Sequence, residues 1–306
     1  MKIHTIDLHF RDRPQAIAAY LVEAPEGPVL VECGPDSTLP RLRQGIDKLG
    51  FKEDDIRHLL VTHIHLDHAG CAGWWAGRGT TVYVHRIGAP HLIDPSKLVH
   101  SAGRIYGDLM DTLWGQVLPC PADRVVALED GDAVEAAGAR FTAIETQGHA
   151  SHHHTYRLGD IGFTGDAAGI RLPGTALVDL PAPPPEFDLQ RWQATIDRLL
   201  QEDFQTIYPT HFGRLDDVVR QLTTLKLLMK ESVRFVRDRM ERLSREELAQ
   251  AYKEWNFERA KGSGLTQESI ARYQAANPLE MSVAGILLYL KKLNRRQTAS
   301  SQDARS

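Results

Sequence analysis

The sequence has little cysteine, no excess of either charge and no long apolar run. Its three cysteines, Cys33, Cys71 and Cys120, are an odd, scattered set without CxxC spacing. That argues against a disulfide framework and a thiolate zinc site, and favours a reducing, cytoplasmic setting. With 36 Lys and Arg against 40 Asp and Glu, the net charge is only −4. Nothing electrostatic therefore invites a nucleic-acid backbone or an anionic membrane, and neither is expected as a partner. The most apolar late segment, 283–290, is far too short to span a bilayer. At the N-terminus, MKIHTIDLHFRDRP alternates apolar and polar residues, which reads as a strand and not as a signal peptide. What the chain does have is apolar content, 42% of 306 residues, enough for the core of one large domain, with or without an extension.

Strands are expected at 3–10, 16–23 and 28–32, the last two joined as a hairpin across Pro25-Glu26-Gly27. Ser37 or Thr38 can cap a helix carrying Leu42, Ile46 and Leu49 and ending at Gly50, after which Ile56 to Thr62 makes another strand. Further strands are expected at 81–84, 125–128, 141–145, 155–158, 161–164 and 206–208, with helices between them. Such an order implies a layered α/β architecture, sheets inside and helices outside. From about Leu215 the character changes: apolar residues recur at helical spacing from Val218 to Met240, and Ser244-Arg245-Glu246-Glu247 has capping-box form. Two more helices fit after Thr266 and over 282–293. The expected division is a domain over 1–214, a helical extension over 215–293 and a polar, disordered tail over 294–306. The extension's apolar stripe needs a partner, for which the pocket mouth, a homodimer contact and the chain's own domain are the candidates.

The strongest local signal is VTHIHLDHAG, residues 61–70, with three histidines and an aspartate in six positions at a strand end. Neutral imidazoles and carboxylates suit zinc and similar divalent ions. His63 and His65 can turn to a common point while Asp67 and His68 continue round the turn, so the motif has ligands enough to seat two ions. Three more ligand-type residues also follow strands: His149 in TQGHASHHH, Asp166 in FTGDAAG and His211 in YPTHFG.

Taken in order, HxHxDH at 63–68, GH at His149, GDA at Asp166 and TH at His211 resemble the metallo-β-lactamase-fold hydrolase superfamily, of lactonase or glyoxalase II type, over about residues 1–215. The resemblance implies an α/β fold, an αββα four-layer sandwich with its site on one edge. It also implies His63, His65 and His149 on a first metal, Asp67, His68 and His211 on a second, and Asp166 between the two. The family commonly has Asp-x-Gly after its third strand, whereas this chain reads Glu32-Cys33-Gly34, a longer acid behind the ligands. His152 is expected behind the ligands as well. His153 and His154 are expected to be ordinary, since consecutive side chains of an extended segment cannot all face one ion. His65 stands where flavodiiron proteins carry Glu, and only 45 positions separate Asp166 from His211, too few for the inserted domain of β-CASP nucleases.

Two divalent ions, zinc in the first place and otherwise manganese, cobalt or iron, would lower a bridging water's pKa from near 16 toward about 7. The resulting hydroxide would attack a carbonyl, with Asp67 orienting it and Asp166 shared by both ions, so the two aspartates are the catalytic candidates. Hydrolysis of an ester, lactone or thioester bond of a small molecule is the expected reaction. A glyoxalase II-like thioesterase and a mononuclear iron enzyme of sulfur dioxygenase type are the alternatives, with a non-catalytic metal-binding protein behind them. Two long, rather apolar connections, 87–118 and 171–189, are expected to wall the pocket, and Tyr106, Trp114 and Phe187 are its candidate residues. They offer no paired cation to grip a carboxylate or phosphate, which favours a neutral acyl substrate.

Overall fold

A computed structural model describes the backbone of residues 1–303 and the side chains of residues 1–295. Strands β1 (Lys2–Asp7), β2 (Ala18–Ala24), β3 (Gly27–Val31), β4 (His58–Leu60), β5 (Thr81–His85) and β6 (Val125–Leu128) lie side by side in chain order. They are antiparallel as far as β3 and parallel from there to β6. A second sheet holds β7 (Ala133–Ala136), β8 (Ala139–Glu145), β9 (His154–Leu158), β10 (Ile161–Gly165) and β11 (Thr206–Pro209), with only the β10–β11 pair parallel.

The two sheets face each other because their strands are apolar on both sides. Along β2, Ala18, Tyr20 and Val22 enter the core between the sheets, while Ala19 and Leu21 face the helices behind; this is the period of two that an extended chain imposes. Behind the first sheet lie α1 (Leu39–Lys48), α2 (Leu66–Ala69), α3 (Ala72–Ala76), α4 (Ala89–Ile93), α5 (Ser96–Tyr106) and α6 (Met110–Trp114). Behind the second lie α7 (Leu189–Gln201), α8 (Val218–Arg237), α9 (Arg245–Arg259) and α11 (Leu279–Asp303). Helix α10 (Gln267–Ala276) reaches the other two cores, through Tyr273 between the sheets and Ala275 behind the first. The order of layers is α, β, β, α.

Most expected elements are present with ends moved by one to three residues, and the capping box at Ser244 forms. Three points differ. Strand β7 was not expected; its sequence AVEA has weak β-propensity, and it exists because β8 pairs with it. The strand expected over 56–62 is a core of three residues, because the chain leaves the sheet at Val61 to bring its histidines over the edge. Residues 294–303 continue α11 where a disordered tail was expected: the stretch is polar but has no Gly or Pro to stop a helix. Residues 304–306 of that expected tail lie outside the described residues. Helices α8, α9 and α11 share one apolar core with α7, where Val218, Leu222 and Leu225 meet Trp192 and Ile196. Much of their stripe is thus satisfied within the chain, and no helix among the described residues is long and apolar enough to cross a membrane.

Candidate metal centre

Four segments end at one edge of the sandwich. The chain beyond β4 presents His63 and His65, and the first turn of α2 adds Asp67 and His68. The loop after β8 adds His149, the end of β10 Asp166 and the end of β11 His211. Gly165 lets Asp166 arrive there: its φ is +50°, and a Cβ would lie 2.3 Å from Thr62 Oγ1 and 2.8 Å from His153 Nε2.

The seven side chains gather into two overlapping groups. His63 Nε2 lies 2.9 Å from His65 Nδ1, and His149 Nε2 lies 3.0 Å from the same atom. On the other side, His211 Nε2 is 3.3 Å and His68 Nε2 3.6 Å from Asp67 Oδ2. Asp166 stands between, with Oδ2 3.3 Å from His149 and Oδ1 3.5 Å from His68 and 3.6 Å from His211. The ligand atoms of His63, His65 and His149, and those of Asp67, His68 and His211, are each close enough together to hold one cation.

Proton positions show that the groups suit cations. His149 Nδ1 faces the Pro181 carbonyl at 2.8 Å and must donate to it, so its Nε2 carries a lone pair. His63 Nδ1 faces Thr62 Oγ1 at 3.1 Å, and that hydroxyl gives its own proton to Glu32 Oε1 at 2.5 Å. His63 Nε2 is therefore a lone pair too. His211 follows the same rule, with Nδ1 2.7 Å from the Ala16 carbonyl. Lone pairs converge on two points, which repels unless a positive charge stands there. Buried atoms also go unmatched: both nitrogens of His68 and Oδ1 of Asp166 have no hydrogen-bond partner among the described residues, an arrangement costing about 1–3 kcal/mol per group if left so.

The electrostatics split the same way. Burial, reinforced by neighbouring imidazoles, pushes His63 and His149 well below the usual histidine range and His65 down to about 4. Burial also opposes charge on His68, but Asp67, Asp166 and Glu32 outweigh it and push His68 up to about 10. Asp67 is lowered against its own burial by His68 and His211, while burial raises Asp166. The first group is neutral and the second is richly anionic and holds protons, so each could take a cation.

Behind the ligands, Glu32 Oε1 accepts from the Thr62 hydroxyl and from Thr210 Oγ1 at 3.3 Å, and lies 3.4 Å from His68 Nδ1. His152 points Nε2 at Glu186 Oε2, 2.9 Å away. Burial works to raise Glu186, but its bonds from His152 and Ser151 hold the carboxyl well below the usual range. His153 is not ordinary: fully buried, it accepts the Asp166 N–H at Nε2, 3.2 Å, and meets Thr146 Oγ1 at 2.8 Å. His154 turns the other way and packs on His85, ring centroids 4.4 Å apart.

A cavity of about 130 Å³ opens from the ligands, with His65, Asp67, His149 and Asp166 in its wall. Tyr106 and Trp114 line it, edge to face at 5.0 Å. Phe187 does not. It is buried against Trp192 and Tyr289, centroids 6.0 and 5.5 Å away, and as the residue before the Asp188 cap it staples the first turn of α7. The connection 171–189 enters the wall as expected, through prolines 181, 183 and 184, whereas sequence reading missed the α10–α11 turn with Asn277, Pro278 and Met281.

The model of the metallo-β-lactamase superfamily matches residues 12–211, two thirds of the chain and every ligand of the cluster. The chain belongs to this superfamily. A metallo-β-lactamase fold-containing protein of Sulfurisphaera tokodaii is 26% identical over 226 residues, covering 71% of this chain and 85% of that one. An atrochrysone carboxyl ACP thioesterase of a Cryptosporiopsis species is 25% identical over 170 residues, which span 55% of this chain but only 40% of the thioesterase. Among solved structures, a metallo-β-lactamase family protein of Thermus thermophilus superposes with a TM-score of 0.69, covering 95% of this chain and 94% of its own at 20% identity. At that identity the likeness speaks for the fold alone.

Proposed function

We propose that the chain is a two-metal hydrolase acting on an ester, lactone or thioester of a neutral acyl group. The observation that carries this reading is the cavity: it ends on both ligand groups, and no Lys or Arg among the described residues lines it. Two divalent cations held by His63, His65 and His149 and by Asp67, His68 and His211, with Asp166 shared, would acidify a water and polarise a carbonyl.

The chain's own residues then divide the work. Asp67 is the more accessible acid, 20% exposed against 4% for Asp166, so it can orient the attacking water and take up its proton. Asp166, fixed by the His153 bond to its backbone N–H, serves both ligand groups. Burial raises Tyr106, which therefore keeps its phenolic proton and offers a neutral donor in the cavity wall. Leu98, Ile105, Trp114 and Met281 exclude water and accept an apolar acyl portion. The thioesterase among the relatives supports including thioesters in the class. The substrate is thus a small molecule or an acyl group delivered on a carrier.

Metal content and a substrate panel test this together. The expected result is near two zinc, manganese or cobalt ions per chain, and kcat/KM highest for a lactone, ester or thioester. One iron per chain with no hydrolysis would favour the redox alternative; best turnover of a phosphodiester or β-lactam would defeat the acyl assignment.

A further inference from the structure

Each imidazole in the ligand set uses one nitrogen at the cluster, and the far nitrogen of four of the five faces an oxygen. His63 has Thr62 Oγ1 at 3.1 Å, His68 has Glu32 Oε1 at 3.4 Å, His149 has the Pro181 carbonyl at 2.8 Å and His211 the Ala16 carbonyl at 2.7 Å. His65 differs. It turns Nδ1 to His63 and His149, and Nε2 makes no hydrogen bond with the described residues.

A carboxylate within reach of this gap belongs to Glu186, on the connection between β10 and α7. A ring nitrogen of His65, a ring nitrogen of His152 and a carboxylate oxygen of Glu186 all lie within 4.8 Å of one another. Glu186 is held firmly: Ser151 Oγ donates to Oε1 at 2.6 Å, and His152 Nε2 meets Oε2 at 2.9 Å. The Ile64 N–H points at His152 Nδ1 from 3.5 Å, which makes Nε2 the protonated nitrogen. A nitrogen that carries a proton toward Glu186 is not a ligand, so the trio is not a third cation site. It is a carboxylate steadied beside a ligand histidine.

We propose that Glu186 is the outer carboxylate of His65, a positioning residue that orients this ring toward the first cation and raises its basicity. This rests on the two-metal reading above. A separation of up to 4.8 Å suits a single bridging water. Outer carboxylates of this kind fix the tautomer and the aim of a ligand imidazole, and the free Nε2 of His65 is the one position in the set still lacking such a partner. The same connection already supplies Pro181 to His149. One loop would then orient two of the three nitrogens of the first group.

The test is a competition titration with a chromophoric chelator on the full chain, first with zinc and then with cobalt, whose visible absorption reports ligand geometry. Wild type, Glu186→Gln and Ser151→Ala are compared. Glu186→Gln should weaken one of two cations roughly 10- to 100-fold, alter the cobalt absorption of that site, and leave the other cation unchanged. Ser151→Ala, which only frees Oε1, should give a smaller loss at the same cation. A Glu186→Gln variant with wild-type affinities and spectrum overturns the assignment. So does an equal loss at both cations in both variants, which marks general loosening. A wild type that takes up no cation defeats the two-metal reading and this assignment with it.

Discussion

Gly148 is the residue on which the placement of His149 depends, and Gly148→Ala is the change that exposes this. Its φ is +131°, in a region that only glycine visits freely, and an added Cβ would lie 2.3 Å from Trp192 Cβ and 2.4 Å from Trp192 Cα and N. No rotamer relieves a clash with backbone. Trp192 is fully buried in the second helical core, its indole N–H bonded to the Ala167 carbonyl at 2.8 Å, so the helix resists and the loop must move. That movement stretches the bonds fixing the loop, from the Asp188 N–H to the Gly148 carbonyl at 2.8 Å and from Thr195 Oγ1 to the Gln147 carbonyl at 2.7 Å. Backbone strain of about 1–3 kcal/mol and overpacking of about 1–3 kcal/mol together amount to roughly 2–6 kcal/mol. At about 2 °C per kcal/mol for a chain of this size, melting should fall by roughly 4–12 °C. Gly50→Ala is the control: φ is +85° there, but nothing lies within 4 Å of the added Cβ, so it should cost about 1–2 kcal/mol from conformation alone. Because His149 rides on the displaced loop, Gly148→Ala should also lose the first cation at least about tenfold more readily, whereas Gly50→Ala should not. Thermal unfolding in chelator and metal titration measure the two effects. Equal melting shifts and equal metal affinities in the two variants would refute the steric argument.

Asp166→Ala should abolish turnover and lower the metal content of purified protein more than His152→Ala does, because Asp166 reaches both ligand groups whereas both nitrogens of His152 are engaged behind them, by Glu186 and the Ile64 N–H; comparable metal loss in the two contradicts the shared-carboxylate assignment. Burial, with His85 beside it, brings His154 down to about 3. A lowered histidine is neutral in the fold but protonated in the unfolded chain below about pH 6.5, so stability falls as pH drops, by about 1.4 kcal/mol per unit until about pH 3. His154→Leu sacrifices no hydrogen bond, and with chelator present its stability should decline less steeply from pH 6 to pH 4; parallel declines would show that His154 does not titrate this way. Ser244→Ala removes the cap of α9, where Ser244 Oγ accepts the Glu247 N–H at 3.2 Å, and should cost about 1 kcal/mol with kcat/KM unchanged, since α9 contributes nothing to the cavity. A fall in kcat/KM at full folding would place α9 nearer the chemistry than the structure does.

The gathering of the seven side chains was legible because each is a chemically specific residue at a strand end, where the fold leaves little choice about position. Of the groups behind them Glu32 and His152 were legible too, but the rest were not, for two reasons. Thr62 and the carbonyls of Ala16 and Pro181 act through atoms that many residue types possess, so no residue type announces them. Glu186 sits in the stretch PAPPPEF with no motif of its own, and only folding of the connection brings it beside His65. The histidine run shows the limit of a correct rule. Consecutive extended residues do face opposite ways, yet this decides only that His153 and His154 part company, not that His153 ends at the backbone of Asp166 and His154 at His85. Phe187 failed for a similar reason: an aromatic in a loop near a site can face the cavity or staple the next helix, and Asp188 as the α7 cap selects the second.

The late helices acquire a reason from the same bonds. Asn277, at the end of α10, donates to Asp179 Oδ2 at 2.8 Å and to the Leu180 carbonyl at 3.1 Å. Ser282 in α11 donates to the Leu180 carbonyl at 2.8 Å and accepts the Ala182 N–H at 3.2 Å. Between those anchored positions is Pro181, whose carbonyl fixes the tautomer of His149. A connection rich in proline has few backbone N–H groups with which to tie itself down, so its geometry must be imposed from outside, and the α10–α11 corner does this while also lining the cavity through Pro278 and Met281. The helices beyond Leu215 are therefore joined to the first ligand group by a short chain of hydrogen bonds. Covering the pocket and setting the aim of His149 are two results of one packing arrangement.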